Sequence, residues 1–216
     1  MKNILLTLAL LISFVSFGQT AEEYFKSANT KYAAGDYSEA ISDYNKSIKL
    51  NPNYVAAYSN RGLSKDNLKD YSGAIVDYNN AIKLNPNDVL AYFNRGVSKD
   101  NLKDYSGAIS DYTKAIGLNP NDVLVYLNRG VSKDNLKDYS GAIVDYNKAI
   151  KLNPNYADAY VNRGASKTFL KDYYGAVADY NKAIELNPNY ADAYKNRAIS
   201  KYYTNDLNGA CEDARK

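Results

Sequence analysis

The dipeptide Asn-Pro recurs at Asn51-Pro52, Asn85-Pro86, Asn119-Pro120, Asn153-Pro154 and Asn187-Pro188, always 34 residues apart. Asn-Arg keeps the same step, at Asn60-Arg61, Asn94-Arg95, Asn128-Arg129, Asn162-Arg163 and Asn196-Arg197. A fixed period of this length constrains the chain more than its composition does. Each unit is one supersecondary motif that cannot bury its own apolar face, so units stack on one another as a solenoid. The units run 21–54, 55–88, 89–122, 123–156 and 157–190, followed by a partial unit at 191–216. Units 89–122 and 123–156 agree at 28 of 34 positions, so the few differences between units carry information of their own.

Each unit reads as two helices. The first is expected over Val55 to Leu68 in the second unit, with Tyr58, Gly62 and Leu68 on one stripe. Asp70 stands where its carboxylate can accept from the free N–H groups that open the second helix. Ala74, Tyr78 and Ala81 follow on one face, and Leu84 closes the helix before Asn85-Pro86, because proline cannot continue it. Small residues such as Gly62 and Ala74 let two helix axes approach closely, with tyrosine filling the space around the contact. The 23 tyrosines are therefore expected to pack the scaffold rather than form an aromatic ligand cage.

This pattern resembles the tetratricopeptide repeat family from about Ala21 to the end of the chain. The third unit supplies Tyr92, Gly96, Tyr105, Ala108, Tyr112, Ala115 and Pro120 at the family's recurring aromatic, small and proline positions. The resemblance implies an all-α fold, a right-handed superhelical solenoid of helix-turn-helix repeats whose first helices line a concave side. Two departures stand out. Only Gly35 keeps the glycine of the inter-helix turn; Lys69, Lys103, Lys137 and Lys171 replace it, at a cost on the order of 1 kcal/mol each if the position is left-handed. Lys65, Lys99, Lys133 and Lys167 stand at the usual aromatic of the eleventh position, which is expected to loosen packing on the outer side.

Arg61, Arg95, Arg129, Arg163 and Arg197 occupy a position where the family commonly has leucine. Sixteen residues further on stand Asp77, Asp111, Asp145, Asp179 and Asp213. The constant offset predicts a bidentate Arg–Asp pair between the two helices of each unit. A row of arginines offered to an acidic ligand is the alternative. The first unit keeps Asp43 but has Ser27 in place of the arginine.

By analogy with the family, the groove is lined by the second, fifth, sixth, ninth, twelfth and thirteenth positions. The sixth is Asn60, Asn94, Asn128, Asn162 and Asn196. An amide offers a donor and an acceptor to a peptide backbone. First helices about 10 Å apart would place one Asn at about every third residue of an extended chain. Asparagine ladders of this kind occur in the repeat superhelices of O-linked N-acetylglucosamine transferases, although Asn is also common here in idealised family sequences. Beside it the middle units carry an apolar strip: Leu90, Phe93 and Val97, then Leu124, Leu127 and Val131. Asp66, Asp100 and Asp134 edge the strip and are expected to pair with Lys69, Lys103 and Lys137, three residues on. A heat-shock-protein tail clamp is rejected, because its five positions are Phe25, Asn29, Asn60, Leu90 and Asn94, and only Asn29 and Asn60 fit.

The N-terminus has a different character. Met1-Lys2-Asn3 precedes an apolar run from Ile4 to Phe17, and Ser16-Phe17-Gly18 suits a cut before Gln19. This is the layout of a secretory signal peptide over 1–18, too short for a spanning helix of about 20 residues. The mature chain is thus expected to be exported to the periplasm or beyond the cell, with no stable membrane insertion. With no histidine and the single Cys211, metal sites, cofactors and the usual nucleophile constellations are not expected, and neither is catalysis. Cys211 is expected as a small buried residue on a helix face. A formal charge of +3, with signs interspersed, offers no basic stripe for nucleic acid. The partial last unit suggests truncation, or a partner covering the end. The chain is therefore expected to be a scaffold or adaptor that binds another protein or peptide in its groove. A subunit of a larger envelope assembly, docking by its convex face or C-terminal end, is the alternative.

Overall fold

The computed structural model describes residues 19–216, which form twelve helices and, among those residues, no strand. They pair as α1 (Ala21–Ala34) with α2 (Tyr37–Leu50), α3 (Val55–Asn67) with α4 (Tyr71–Leu84), and α5 (Val89–Asn101) with α6 (Tyr105–Leu118). Next come α7 (Val123–Asn135) with α8 (Tyr139–Leu152), α9 (Ala157–Phe169) with α10 (Tyr173–Leu186), and α11 (Ala191–Tyr203) with the short α12 (Leu207–Asp213). These pairs are units 1 to 6. The segment read as an export signal, 1–18, lies outside the described residues. No helix among the described residues is long and apolar enough to cross a membrane.

The helix ends follow from local chemistry. Asp70, Asp104, Asp138, Asp172 and Asp206 each accept the backbone N–H of the glycine three residues on, at 2.9–3.0 Å. A Cβ on Gly107 would lie 2.1 Å from the Asp104 carboxylate, so the cap requires glycine there. Unit 1 has Glu39 at that place, and Asp36 makes no side-chain cap bond. At the other end Asn85 adopts an extended backbone, sends its N–H to the Ala81 carbonyl and accepts the Asn87 N–H at 3.2 Å. Lys69, Lys103, Lys137 and Lys171 do take the left-handed conformation, with φ of 62–63°.

Packing repeats with the period. In unit 3, Ala108, Tyr112 and Ala115 of α6 are buried against Tyr92 of α5 and Val125 of α7. A Cβ on Gly96 would meet the Tyr112 ring at 2.6 Å, so the close approach of the two helices depends on its absence. First helices of successive units touch one another, whereas the second helices of successive units do not. The stack is therefore tighter along α1, α3, α5, α7, α9 and α11, and this asymmetry puts the first helices on the inside of the curve. Cys211 corrects its expected burial: it is exposed on α12, because no described element stacks over that face.

Candidate ligand groove

The first helices are held by ionic clusters behind the groove. Arg61 donates to both oxygens of Asp77, from Nε at 2.9 Å and Nη2 at 2.5 Å. Lys65 Nζ lies 2.8 Å from the same carboxylate, which is fully buried. Units 3, 4 and 5 repeat the triad, and in unit 6 Arg197 and Lys201 hold Asp213. The eleventh-position lysine therefore closes a charge cluster instead of loosening the packing. Nη1 of Arg61, Arg95, Arg163 and Arg197 reaches back to Asn45, Asn79, Asn147 and Asn181 of the preceding unit, and Arg129 reaches Thr113. Each guanidinium thus fastens two units and is not presented to an acidic ligand. In unit 1 Asp43 takes Ser27, Lys31 and Lys46 instead; burial pushes its pKa up, but these donors hold it at about 2.

The twelfth-position carboxylates overturn the expected pairing with the turn lysines. Asp66 accepts from Tyr78 Oη at 2.7 Å and from Ser98 Oγ of the next unit at 2.8 Å. Asp100 receives Tyr112 and Ser132, and Asp134 receives Tyr146 and Ser166. Lysine in the left-handed turn leaves the helix, whereas the Asp side chain stays over the seam between units, where the two hydroxyls meet it. Burial pushes Asp66, Asp100 and Asp134 above the usual carboxylate range, with their hydroxyl donors pulling the other way. The same burial, and then the neighbouring carboxylate, drives Tyr78, Tyr112 and Tyr146 well above the usual phenol range. Tyr180 faces Thr168 instead and is pushed up only to about 12. The recurrent serine of the tenth position was the available signal for this bridge, and sequence reasoning passed over it.

The residues assigned to the groove are unequally placed. Asn60, Asn94, Asn128, Asn162 and Asn196 are all half-buried. Asn60 donates to Asn29 of unit 1 at 2.9 Å, and Asn128 donates to the Leu124 carbonyl at 3.0 Å. Leu90 is exposed at 66% and Leu124 at 48%, while Phe93, Val97 and Leu127 pack partly into the core beneath. Val131 sits at the margin, 36% exposed. Val97, Asn128 and Val131 converge on one notch between units 3 and 4, a cavity of about 300 Å³ that Asp100, Asn101 and Asn135 also line. A matching notch between units 5 and 6, about 240 Å³, is lined by Ala165, Thr168, Phe169, Tyr180, Asn196 and Ile199. Among the described residues no cluster of His, Cys, Asp and Glu could hold a metal ion.

A curved stack of helix pairs with side-chain notches along its inner face defines a helical-repeat interaction scaffold. Family models described as TPR repeat match residues 28–65, 67–99 and 135–167, and one described as tetratricopeptide repeat matches 89–122 and 157–190. The chain belongs to the tetratricopeptide repeat family, whose members are generally non-catalytic scaffolds for protein–protein interaction. No curated protein sequence matches it. Among solved structures it is similar to MamA, at 25% identity with a TM-score of 0.74, over 78% of this chain and 92% of that one. It is also similar to YrrB, described as a TPR protein with an unusual peptide-binding site (21% identity, TM-score 0.72, 80% and 89% covered). PilW, a type IV pilus biogenesis factor, aligns at 16% identity with a TM-score of 0.76, over 91% of each chain. The last two likenesses are likenesses of fold alone.

Proposed function

We propose that the protein is an exported adaptor whose inner groove holds an extended segment of a partner protein, in the periplasm or outside the cell. The observation that carries this reading is the notch between units 3 and 4. There Asn128, Val97 and Val131 line the same hollow, so a hydrogen-bonding amide and two apolar side chains share one cavity. Exposed Leu90 and Leu124 extend the apolar strip along the same helices. The basic start and apolar run before Gln19 support export. The asparagines contribute unequally: Asn94, Asn162 and Asn196 keep their amides for a ligand, whereas Asn60 and Asn128 must exchange an internal bond for one.

The test is photo-crosslinking capture from the cell envelope, with the wild type beside Asn94→Ala/Asn128→Ala/Asn162→Ala and Leu124→Asp/Val131→Asp. Loss of the captured partner from the groove variants, with helicity unchanged, is the expected outcome. Undiminished capture by both would defeat the groove reading. A second reading, docking by the C-terminal end into a larger envelope assembly, is favoured by one feature: Ile199, Tyr202, Tyr203, Leu207 and Cys211 surround an apolar hollow there. Capture that survives the groove variants and is lost in Tyr202→Ser/Leu207→Ser would support it.

A further inference from the structure

Resting on that groove reading, we propose that the segment it takes is cationic and carries one apolar anchor: an extended chain bearing Lys or Arg whose apolar side chain seats between units 5 and 6. The two notches are built from the same repeat positions but differ in chemistry. Where the notch between units 3 and 4 has Asp100 and Asn101, the one between units 5 and 6 has Thr168 and Phe169. The Thr168 hydroxyl is spent on the Gly164 carbonyl at 2.9 Å and on Ser200 Oγ at 3.1 Å. Phe169 stacks on Tyr139, centroids 4.6 Å apart and planes 6° from parallel, which fixes it as a wall while leaving it 65% exposed. Ala165 and Ile199 complete the lining, and Asn196 is its one side-chain amide. An enclosure of about 240 Å³ with these walls admits a branched or aromatic side chain and gives a charged one no partner.

The charge around the notch selects what flanks the anchor. Across units 2 to 6 the groove stripe holds Asp66, Asp100, Asp134, Asp158 and Asp192, against a single cation, Lys195. None of the five carboxylates is ion-paired among the described residues, whereas the carboxylates behind the groove are. Hydroxyls satisfy their hydrogen bonds without cancelling their charge: Asp66, Asp100 and Asp134 have those described above, and Asp158 receives Tyr190 at 2.5 Å. Of the other lysines in these units, Lys65, Lys99, Lys133, Lys167 and Lys201 are on first helices but turn back onto the buried aspartates. Others sit in the turns, as Lys103 and Lys137, or on second helices, as Lys114 and Lys148. The chain is net positive by +3, yet its groove is negative. A cationic segment supplies the missing counter-charge, and the field draws it in. Asp100 lies two units before the anchor notch, about 20 Å at about 10 Å per unit, so a basic side chain is placed about six residues from the anchor.

The experiment selects a displayed library of random peptides, about twelve residues long, on the full chain. Ala165→Phe and Asp66→Asn/Asp100→Asn/Asp134→Asn are screened in parallel. Ala165→Phe fills the notch, and the ninth position already carries Leu63 in unit 2, so the fold has room for it. Circular-dichroism melts establish that both variants fold. Wild-type protein is expected to enrich peptides with Lys or Arg about six residues from one apolar residue. A synthetic peptide from that pool should bind about tenfold more weakly to either variant, and more weakly again as salt rises. Enrichment of neutral or acidic peptides, or binding indifferent to Ala165→Phe, overturns the proposal and leaves the groove reading standing. No enrichment of any composition overturns both.

Discussion

Asp66, Asp100 and Asp134 are half-buried carboxylates held by hydroxyls and by no cation. Burial raises their pKa above the ordinary 3.8, so the folded chain binds these protons more readily than the unfolded chain does. Stability therefore falls as pH climbs from 3.8 through the raised values, and acidification through that window recovers it. Asp43 has the opposite sign: held at about 2, it contributes stability above 3.8 that is lost as pH falls toward its own value. Asp66→Asn/Asp100→Asn/Asp134→Asn removes the charge and keeps one oxygen acceptor for the tyrosine hydroxyl. The amide NH2 can donate to the serine oxygen, whose own proton still has a main-chain carbonyl. The triple variant should melt higher than the wild type at pH 7, and the gap should close on titration toward pH 4. A lower melting temperature at pH 7 would mean the charge itself holds the seam. The Arg–Asp–Lys clusters respond differently. Arg129→Leu strands a buried Asp145 with Lys133 alone, and should cost about 3 kcal/mol in urea unfolding. Adding Asp145→Asn should recover part of that loss, because a buried charge without its partner costs more than a missing pair.

At the scale of the element, the second helices begin on an Asp–Gly relationship that unit 1 tests naturally. With Glu39 in place of glycine, the Asp36 side-chain cap is absent, while the five units with glycine all have it. Gly107→Ala should displace Asp104 and cost about 1 kcal/mol, part of it offset by alanine's better helix propensity. Adding Asp104→Ala to Gly107→Ala should cost little more, since the bond is already gone; additive losses would show that Asp104 acts in another way. The close approach of the two helices is set in the same local manner. Gly62, Gly96, Gly130 and Gly164 each lie under a tyrosine ring, with under 3.0 Å to spare for a Cβ. Unit 1 has Ala28 there, and its Tyr44 hydroxyl goes to Asn29 of the ninth position, not to the twelfth.

For the whole molecule, stability is a sum of units and seams. Removing residues 89–122 takes out one unit in register and brings Ser132 of α7 to face Asp66 of α3, the same hydroxyl–carboxylate bridge that Ser98 makes now. The shortened chain should fold, with a urea m-value smaller by about one-sixth, since less surface is exposed on unfolding. Failure to fold would mean that the seams are not interchangeable. Much of this architecture was legible in the chain. The 34-residue step set the units, Asp70 and Asn85-Pro86 marked helix ends, and the sixteen-residue offset paired Arg with Asp. All of these join residues within one helix pair, where spacing along the chain converts directly into spacing on a helix face. What the sequence left open lies mostly between units, although Lys65 on Asp77 and Tyr78 on Asp66 are contacts inside one helix pair that spacing alone did not identify. Asp66 turned to Ser98, Arg61 reached Asn45, and Phe169 found Tyr139, across seams whose crossing angles and axial offsets no period encodes. The same holds for the groove. Periodicity names equivalent positions, but only the stacked helices decide that Val97, Asn128 and Val131 share a cavity while Leu90, two turns earlier on α5, lies outside it and exposed.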